Sequence, residues 1–262
     1  RNELRKAFIL TGQKQNGKST FLNILKELLG PKNTSVLDIK HLNDRFSTVM
    51  MVNKLANIGD DISNKKLYDT EQFKKIVSGE KINAEQKGRD KFEFTPYCKL
   101  IYSANNIPKL GDGDDAPAVL SRLVIVPFKA YFDSSSPDYK PFIIDDLITE
   151  ESMEYLINLG LAGLKRVLKN RKFTESEYTN REFEEYKNEI DPISEYLETL
   201  NVDLIVNEMS GKIYSEYMEY CMREGYENIP INAFTRKVNN FFNLTTKNRR
   251  VDGMIVKTYV KK

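Results

Sequence analysis

Eight residues near the start of the chain restrict its fold more than any other feature. Residues 12–19 read Gly12-Gln13-Lys14-Gln15-Asn16-Gly17-Lys18-Ser19, a G-x-x-x-x-G-K-[ST] pattern. They follow the apolar run Phe8-Ile9-Leu10 and precede Phe21, Leu22, Leu25, Leu28 and Leu29 at helical spacing. Strand, glycine loop and amphipathic helix in that order converge backbone N–H groups on the positive end of a helix, where an anion is held. The pattern therefore points to phosphate, with Gly12, Gln15, Asn16, Gly17, Lys18, Ser19 and Thr20 as the cradle. Lys18 is expected at the β- and γ-phosphates of ATP, and Ser19 at a Mg²⁺ ion.

The chain that follows alternates β-rich runs with helical stretches, which predicts an α/β fold with a largely parallel sheet. Strands are expected at 7–10, 36–39, 55–59, 100–103 and 123–127. Between them, short arms at 82–84 and 92–94 flank the polar tip Gln86-Lys87-Gly88-Arg89-Asp90, which reads as an inserted β-hairpin. Thr149 is expected to cap a helix running to about residue 169, and Thr174 with Glu177 to form a capping box for another running to about residue 189. Asp191-Pro192 reads as a helix start, with a domain boundary near 190. The organisation expected is thus a core over 1–148, a helical connector over 149–189 and a terminal domain over 190–262.

Two further strand ends carry polar groups. Leu55-Ala56-Asn57-Ile58-Gly59 ends in Asp60 and Asp61, where one carboxylate can hold a metal shell and its neighbour can orient or deprotonate water. Asp60 is assigned the metal and Asp61 the base. Leu100–Ser103 leads into Asn105, whose amide is placed to bond a γ-phosphate or an attacking water. The acidic stretch Gly111-Asp112-Gly113-Asp114-Asp115 lacks the glutamate that a calcium loop ends on and reads as a flexible loop. Arg122, before the apolar run at 123–128, is either a surface charge or an arginine that completes a neighbouring subunit's site.

Composition excludes several alternatives. With 40 basic against 38 acidic residues in 262, the net charge of +2 is not that of a uniformly basic nucleic-acid binder. One histidine, His41, removes most zinc sites and histidine triads. Two widely spaced cysteines form no disulfide framework and suit a reducing cytoplasm. No apolar run is long enough for a membrane span, and no signal peptide is visible. Arg1 stands almost directly before the first strand, so upstream domains are expected in the full protein.

Positive charge is concentrated at the end. Residues 231–262 hold eight lysines and arginines against Asp252 alone, a net +7. A helix over 211–224 closed by Gly225, a second over 233–242 and a hairpin turning at Asp252-Gly253 read as a winged helix. Phe234, Val238, Phe241 and Phe242 share the apolar face of the second helix, leaving Arg236, Lys237, Asn239 and Asn240 outward. Together with Lys247, Arg249 and Arg250 these are candidate DNA contacts, the alternative being a module that docks on protein.

The phosphate loop, the Asp60-Asp61 strand, the hairpin around Lys87, the Asn105-x-x-Pro108 strand and Arg122 resemble, in that order, a superfamily 3 helicase of the phage and plasmid primase-helicase type, related to the poxvirus primase-helicase family. The resemblance covers about the first 130 residues, and more weakly the terminal winged helix. It implies an AAA+ ATPase core, a ring hexamer with nucleotide between subunits, and 3′-to-5′ movement on single-stranded DNA. By matching position it makes Asn105 the polar sensor, Arg122 the finger acting in trans, and Lys87 the hairpin-tip contact to DNA, with Arg89 and Lys91 following phosphates beside it. Priming is not assigned to this chain. The expected activity is that of an ATP-dependent replicative DNA helicase of a mobile element. An ATP-regulated origin-binding initiator or loader, acting on duplex DNA without processive unwinding, is the alternative, and a small-molecule kinase is a third class.

Overall fold

The alternation of apolar runs and helices builds one parallel sheet, in a computed structural model that describes every residue except 1, 64–66, 68, 112–114, 138, 191 and 252–253. Two units separate along the chain, Arg1–Tyr186 and Lys187–Lys262.

In the first unit, β1 (Ala7–Thr11) leads through the glycine loop into α1 (Lys18–Leu29). Next come β2 (Thr34–Ser35), β3 (Ala56–Gly59), α2 (Glu71–Ser78), the short strands β4 (Ile82–Ala84) and β5 (Phe92–Phe94), β6 (Lys99–Ala104), α3 (Ala116–Leu120) and β7 (Leu123–Pro127). Strands β2, β3, β6, β1 and β7 lie side by side in that order, and every pairing is parallel. β1 is therefore an inner strand, flanked by strands that come 92 and 116 residues later, with Ile9 opposite both Tyr102 and Ile125. Parallel strands covered on both faces need apolar side chains in both directions, and Ala7, Ile9, Leu10, Ile58, Tyr102 and Ile125 are at most 2% exposed. Leu22 of α1 packs with Leu10, Ala56 and Ile58, which fixes the loop over the strand ends. β4 and β5 pair antiparallel, with Ile82 opposite Phe94.

The edge strand differs from the reading at 36–39. It is β2 at Thr34–Ser35, and Ile39–His41 forms a 3₁₀ turn instead. The cause is a buried amide: Asn57 accepts from the Leu37 N–H and the Ser35 hydroxyl, each at 2.8 Å, and donates to the Leu37 carbonyl at 2.7 Å. Its side chain thus takes both main-chain groups of Leu37 that a longer ladder would use. Asp38 then accepts from Lys40 N and caps the turn.

After β7 come α4 (Ile143–Leu147), α5 (Glu150–Asn170) and α6 (Glu177–Ile190). Thr149 caps α5 by accepting from Ser152 N. The capping box expected at Thr174 is corrected: Ser176 accepts from Thr179 N at 3.1 Å, because the chain turns into the helix two residues later. The Asp191 helix start, the hairpin turn at Asp252-Gly253 and most of the acidic stretch, 112–114, lie outside the described residues.

The second unit comprises α7 (Pro192–Thr199), α8 (Val202–Ile205), α9 (Ser210–Glu224), α10 (Ile231–Phe241) and the antiparallel pair β8 (Leu244–Val251) and β9 (Met254–Lys261). Its core centres on Tyr196, Tyr217 and Phe234, with the Tyr217 and Phe234 rings stacked at 4.8 Å. Gly225 ends α9 in the left-handed region, φ 75°. Of the four apolar residues read on α10 and just after it, Phe234 and Val238 are buried and Phe242 is partly packed, but Phe241 is 49% exposed. Asn239 is also corrected, since its side-chain oxygen is buried and not outward.

Candidate functional site

The loop between β1 and α1 takes a shape that its glycines permit. Gly12 has φ 144°, and a Cβ there would stand 2.1 Å from the Asn16 amide nitrogen and 2.3 Å from the Phe128 carbonyl. Gly17, φ 86°, is the N-cap residue just before α1, and no side chain caps the helix. Gln15 is also left-handed, φ 58°. Its carbonyl accepts from Phe132 N at 2.8 Å, and the Asn16 amide donates to the Phe128 carbonyl at 2.9 Å. The segment after β7 therefore holds the loop from outside.

Lys18 is 7% exposed and folds back into the loop. Its Nζ donates to the carbonyls of Gly12 (2.6 Å) and Gln13 (2.9 Å), and to the amide oxygens of Asn16 (3.1 Å) and Asn105 (3.2 Å). Lost hydration lowers the pKa of this ammonium, and the nearby carboxylates of Asp61 and Asp60 oppose that shift. A buried cation with four oxygen partners is satisfied, yet every partner is neutral, so an anion entering the loop would offer a stronger interaction.

The two aspartates leave β3 at the same sheet edge. Ser103, fully buried on β6, ties them: its hydroxyl donates to the Asp60 carboxylate and accepts from Asp61 N at 2.8 Å. Ser103 O also accepts from Ile62 N at 2.9 Å, so β6 shapes the turn through both its backbone and its side chain. Asp61 is left-handed, φ 50°. The loop, Ser19, Thr20, Asp60, Asp61, Ser103 and Asn105 line one cleft of about 300 Å³. This is the carboxyl end of a parallel sheet, the edge at which such sheets bind ligands. A cation, a hydroxyl in the first turn of a helix, two carboxylates and an amide are a donor set that fits a metal-bound triphosphate.

Other predicted residues lie elsewhere. Arg122 precedes β7 at the amino end of the strands, the opposite edge from the cleft, because Leu123 is in register with Ala7. Its guanidinium donates to the Ala118 carbonyl at 2.6 Å and to the Ser78 hydroxyl at 3.3 Å. Lys87 and Arg89 are exposed on the turn between β4 and β5, where Gly88 has φ 77°. Lys91 differs from them: it lies 3.6 Å from Glu85, which also pairs with Arg45. In the second unit, Arg249 donates to the Asn207 amide oxygen at 2.9 Å, and Arg236, Lys247 and Arg250 are exposed while Lys237 is half-buried.

Ser103 escaped the sequence reading, although a serine two residues before Asn105 on an otherwise apolar strand was the available signal. Neither cysteine offers a nucleophile. Both are buried, and burial pushes the Cys98 thiol up to about 11. Among the described residues no group of three or more His, Cys, Asp or Glu side chains forms a metal site, and no helix is long and apolar enough to cross a membrane.

Comparison with known proteins extends this description. A family model described as a family of unknown function, DUF5906, matches residues 10–122. The chain is 26% identical over 166 residues to "Putative helicase 121R" of Invertebrate iridescent virus 3, and 26% identical over 155 residues to "Putative helicase 184R" of Invertebrate iridescent virus 6. Each match takes in 55% of this chain and only 17% and 15% of the viral proteins. The fold is that of the NrS-1 C-terminal region, with a TM-score of 0.58 and 17% identity over 99% of this chain and 68% of that one.

Proposed function

We propose that the chain is the motor segment of an ATP-driven DNA helicase, built as an AAA+ ATPase of the superfamily 3 kind. The observation that carries this reading is the convergence of Lys18, Asn105 and the Ser103-tied Asp60 and Asp61 on one cleft at the carboxyl end of the sheet. Similarity to two viral proteins named as helicases supports it.

In this mechanism Lys18 exchanges the carbonyls of Gly12 and Gln13 for the β- and γ-phosphate oxygens of ATP, while the amides of the first turn of α1 bind the same group. Ser19 and Asp60 would hold Mg²⁺, which when bound draws charge from the phosphate oxygens. Asp61 orients the attacking water and accepts its proton. Asn105, already bonded to Lys18, reports the loss of the γ-phosphate to β6. Arg122 faces away from its own cleft, so its charge acts on a neighbour's nucleotide in a hexameric ring. Exposed apolar residues of α5, including Tyr155, Leu161, Leu164 and Leu168, each at least 50% exposed, support an assembled state.

Lys87 and Arg89 contact single-stranded DNA in the channel, with Lys91 modulated by Glu85. The second unit works as a winged helix whose basic residues hold duplex phosphates. The net +7 of residues 231–262 favours one second reading, an origin-binding initiator or loader that does not unwind processively. Reduced, buried Cys98 and Cys221 agree with work in the cytoplasm.

ATP turnover with and without single-stranded DNA, together with strand displacement on a forked duplex, tests the proposal. Turnover stimulated by DNA and abolished in Lys18→Ala is expected. Turnover without displacement selects the initiator reading, and DNA-independent turnover on a small acceptor rejects both.

A further inference from the structure

Helix α5 carries apolar side chains on more of its circumference than the rest of the chain covers. Leu156, Gly163 and Val167 lie on a half-buried face. Beside that face Ile157, Leu161, Leu164 and Leu168 recur at spacings of four, three and four residues, each between 49% and 52% exposed. A stripe with that spacing is one that a second helix covers.

The charges of α5 are sorted along its length. Glu150, Glu151 and Glu154 all precede Gly160, the middle residue of the helix, and Lys165, Arg166 and Lys169 all follow it. The helix macrodipole acts within the first and last turns, so it does not account for Glu154, Lys165 or Arg166. All six side chains are exposed, and none enters an ion pair among the described residues. Outside the helix backbone, a Cβ on Gly160 would meet nothing within 4 Å, so another helix can approach closely at the midpoint.

We infer that α5 docks on the α5 of a second copy of this chain, antiparallel, about a two-fold axis beside Gly160. In that register Ile157 meets the partner's Leu164, and Leu161 rests on the partner's Gly160. The same register brings Glu154 to the partner's Lys165 and Glu151 to the partner's Lys169. A parallel pair would instead set acid against acid and base against base, which is repulsive.

A two-fold contact joins one surface to its own copy, whereas the contact that closes a ring joins two different surfaces. The α5 pair is therefore a contact additional to the ring proposed above, and it does not rest on the nucleotide reading of the cleft.

Sedimentation equilibrium of the full chain without nucleotide, across a concentration series, tests it. Wild type should populate a species of twice the monomer mass. Leu164→Glu, at a half-exposed position where no core is opened, should weaken association by about thirtyfold or more, the effect of losing a residue at the centre of an interface. A chain carrying Glu151→Lys with Glu154→Lys, and one carrying Lys165→Glu with Lys169→Glu, should each fail to pair with itself, while an equal mixture of the two should pair again. Oxidative cross-linking reads the orientation, since Cys98 and Cys221 are buried. Glu154→Cys mixed with Lys165→Cys should form the mixed disulfide, and Glu154→Cys alone should not link to itself. Wild type that stays monomeric throughout, assembly that survives both Leu164→Glu and the charge reversals, or a self-linked Glu154→Cys would overturn the inference. None of these measurements needs nucleotide, so a wild-type chain without ATP turnover would sink the motor reading and leave the α5 pair standing.

Discussion

The ammonium of Lys18 lies 3.2 Å from the amide oxygen of Asn105, 87 residues further along the chain. The contact exists because β6 is paired beside β1, with Thr11 opposite Ala104, so the residue leaving each strand end reaches the same point. It joins the group proposed to hold the γ-phosphate to a strand that also carries Ser103, and therefore to both aspartates. A change at the phosphate has a direct mechanical route to β6 and β3.

Asn105→Ala should separate binding from turnover. Lys18 keeps three oxygen partners in the variant, so ATP affinity should stay within about threefold, whereas kcat should fall about a hundredfold, the scale for removing one donor at a developing charge. Parallel measurement of nucleotide Kd and kcat checks this, and a loss confined to Kd would remove Asn105 from the chemical step.

Ser103→Ala should act through Asp60 and Asp61 without touching substrate. The Asp61 N–H and the Asp60 carboxylate lose their shared hydroxyl, and stability should drop by about 1–2 kcal/mol for a buried hydrogen bond. Turnover should fall more than stability predicts and should respond to Mg²⁺ concentration, with a higher Mg²⁺ requirement than wild type. Thermal melts and Mg²⁺ titrations of activity distinguish this from a general loss of folding, and Ser103→Thr should restore part of the activity.

Arg122→Ala mixed with Lys18→Ala should recover part of the activity that each lacks alone. Arg122 sits at the sheet edge opposite the cleft, so a hybrid interface can unite an intact loop with an intact arginine. Turnover measured across mixing ratios checks the expectation, and strictly additive activities would leave Arg122 with only its ties to Ala118 and Ser78.

Phe234→Ala should destabilise the second unit alone. The ring is fully buried and packs at 4.8 Å on Tyr217, so truncation costs about 3–5 kcal/mol. Duplex binding should be lost together with the melting transition of residues 187–262, while ATP affinity in the first unit persists. Hydrogen exchange resolved along the chain reads both units in one experiment.

The ion pair between Lys74 and Asp115, 2.5 Å, links α2 to the start of α3 and predicts a pH effect of known sign. The hydrogen bond from Lys74, with a second from Thr70, holds the Asp115 carboxyl below its ordinary 3.8. A carboxyl depressed in the folded state binds fewer protons there than in the unfolded chain. Its stabilisation is present above 3.8 and vanishes as pH falls through the lower folded value. The side chain is 40% exposed, so screening keeps the contribution under about 1 kcal/mol. The melting difference between wild type and Asp115→Asn should be constant near neutrality and close to zero in strong acid.

The phosphate loop was legible in the linear sequence because its geometry is local. Gly12 and Gly17 adopt dihedrals that other residues avoid, and the flanking apolar spacing selects strand and helix within a few residues. Strands β1, β3, β6 and β7 were legible for the same reason, since each is a short apolar run that a parallel sheet buries on both faces. The edge strand was misplaced because Asn57, 20 residues after Leu37, takes over its backbone, and no local window contains that competition.

What the amino-acid order determined alone is therefore the chemistry of the cradle and the kind of sheet that carries it. Only the tertiary structure decided which strand lies beside β1, and so which amide meets Lys18, which hydroxyl orders Asp60 and Asp61, and that the Phe132 ring returns to cover Gly17. The physical reason is that dihedral preference and burial periodicity act between near neighbours, whereas these contacts depend on closing loops of about 40 to 115 residues against a shared core, an outcome set by the packing of the whole unit.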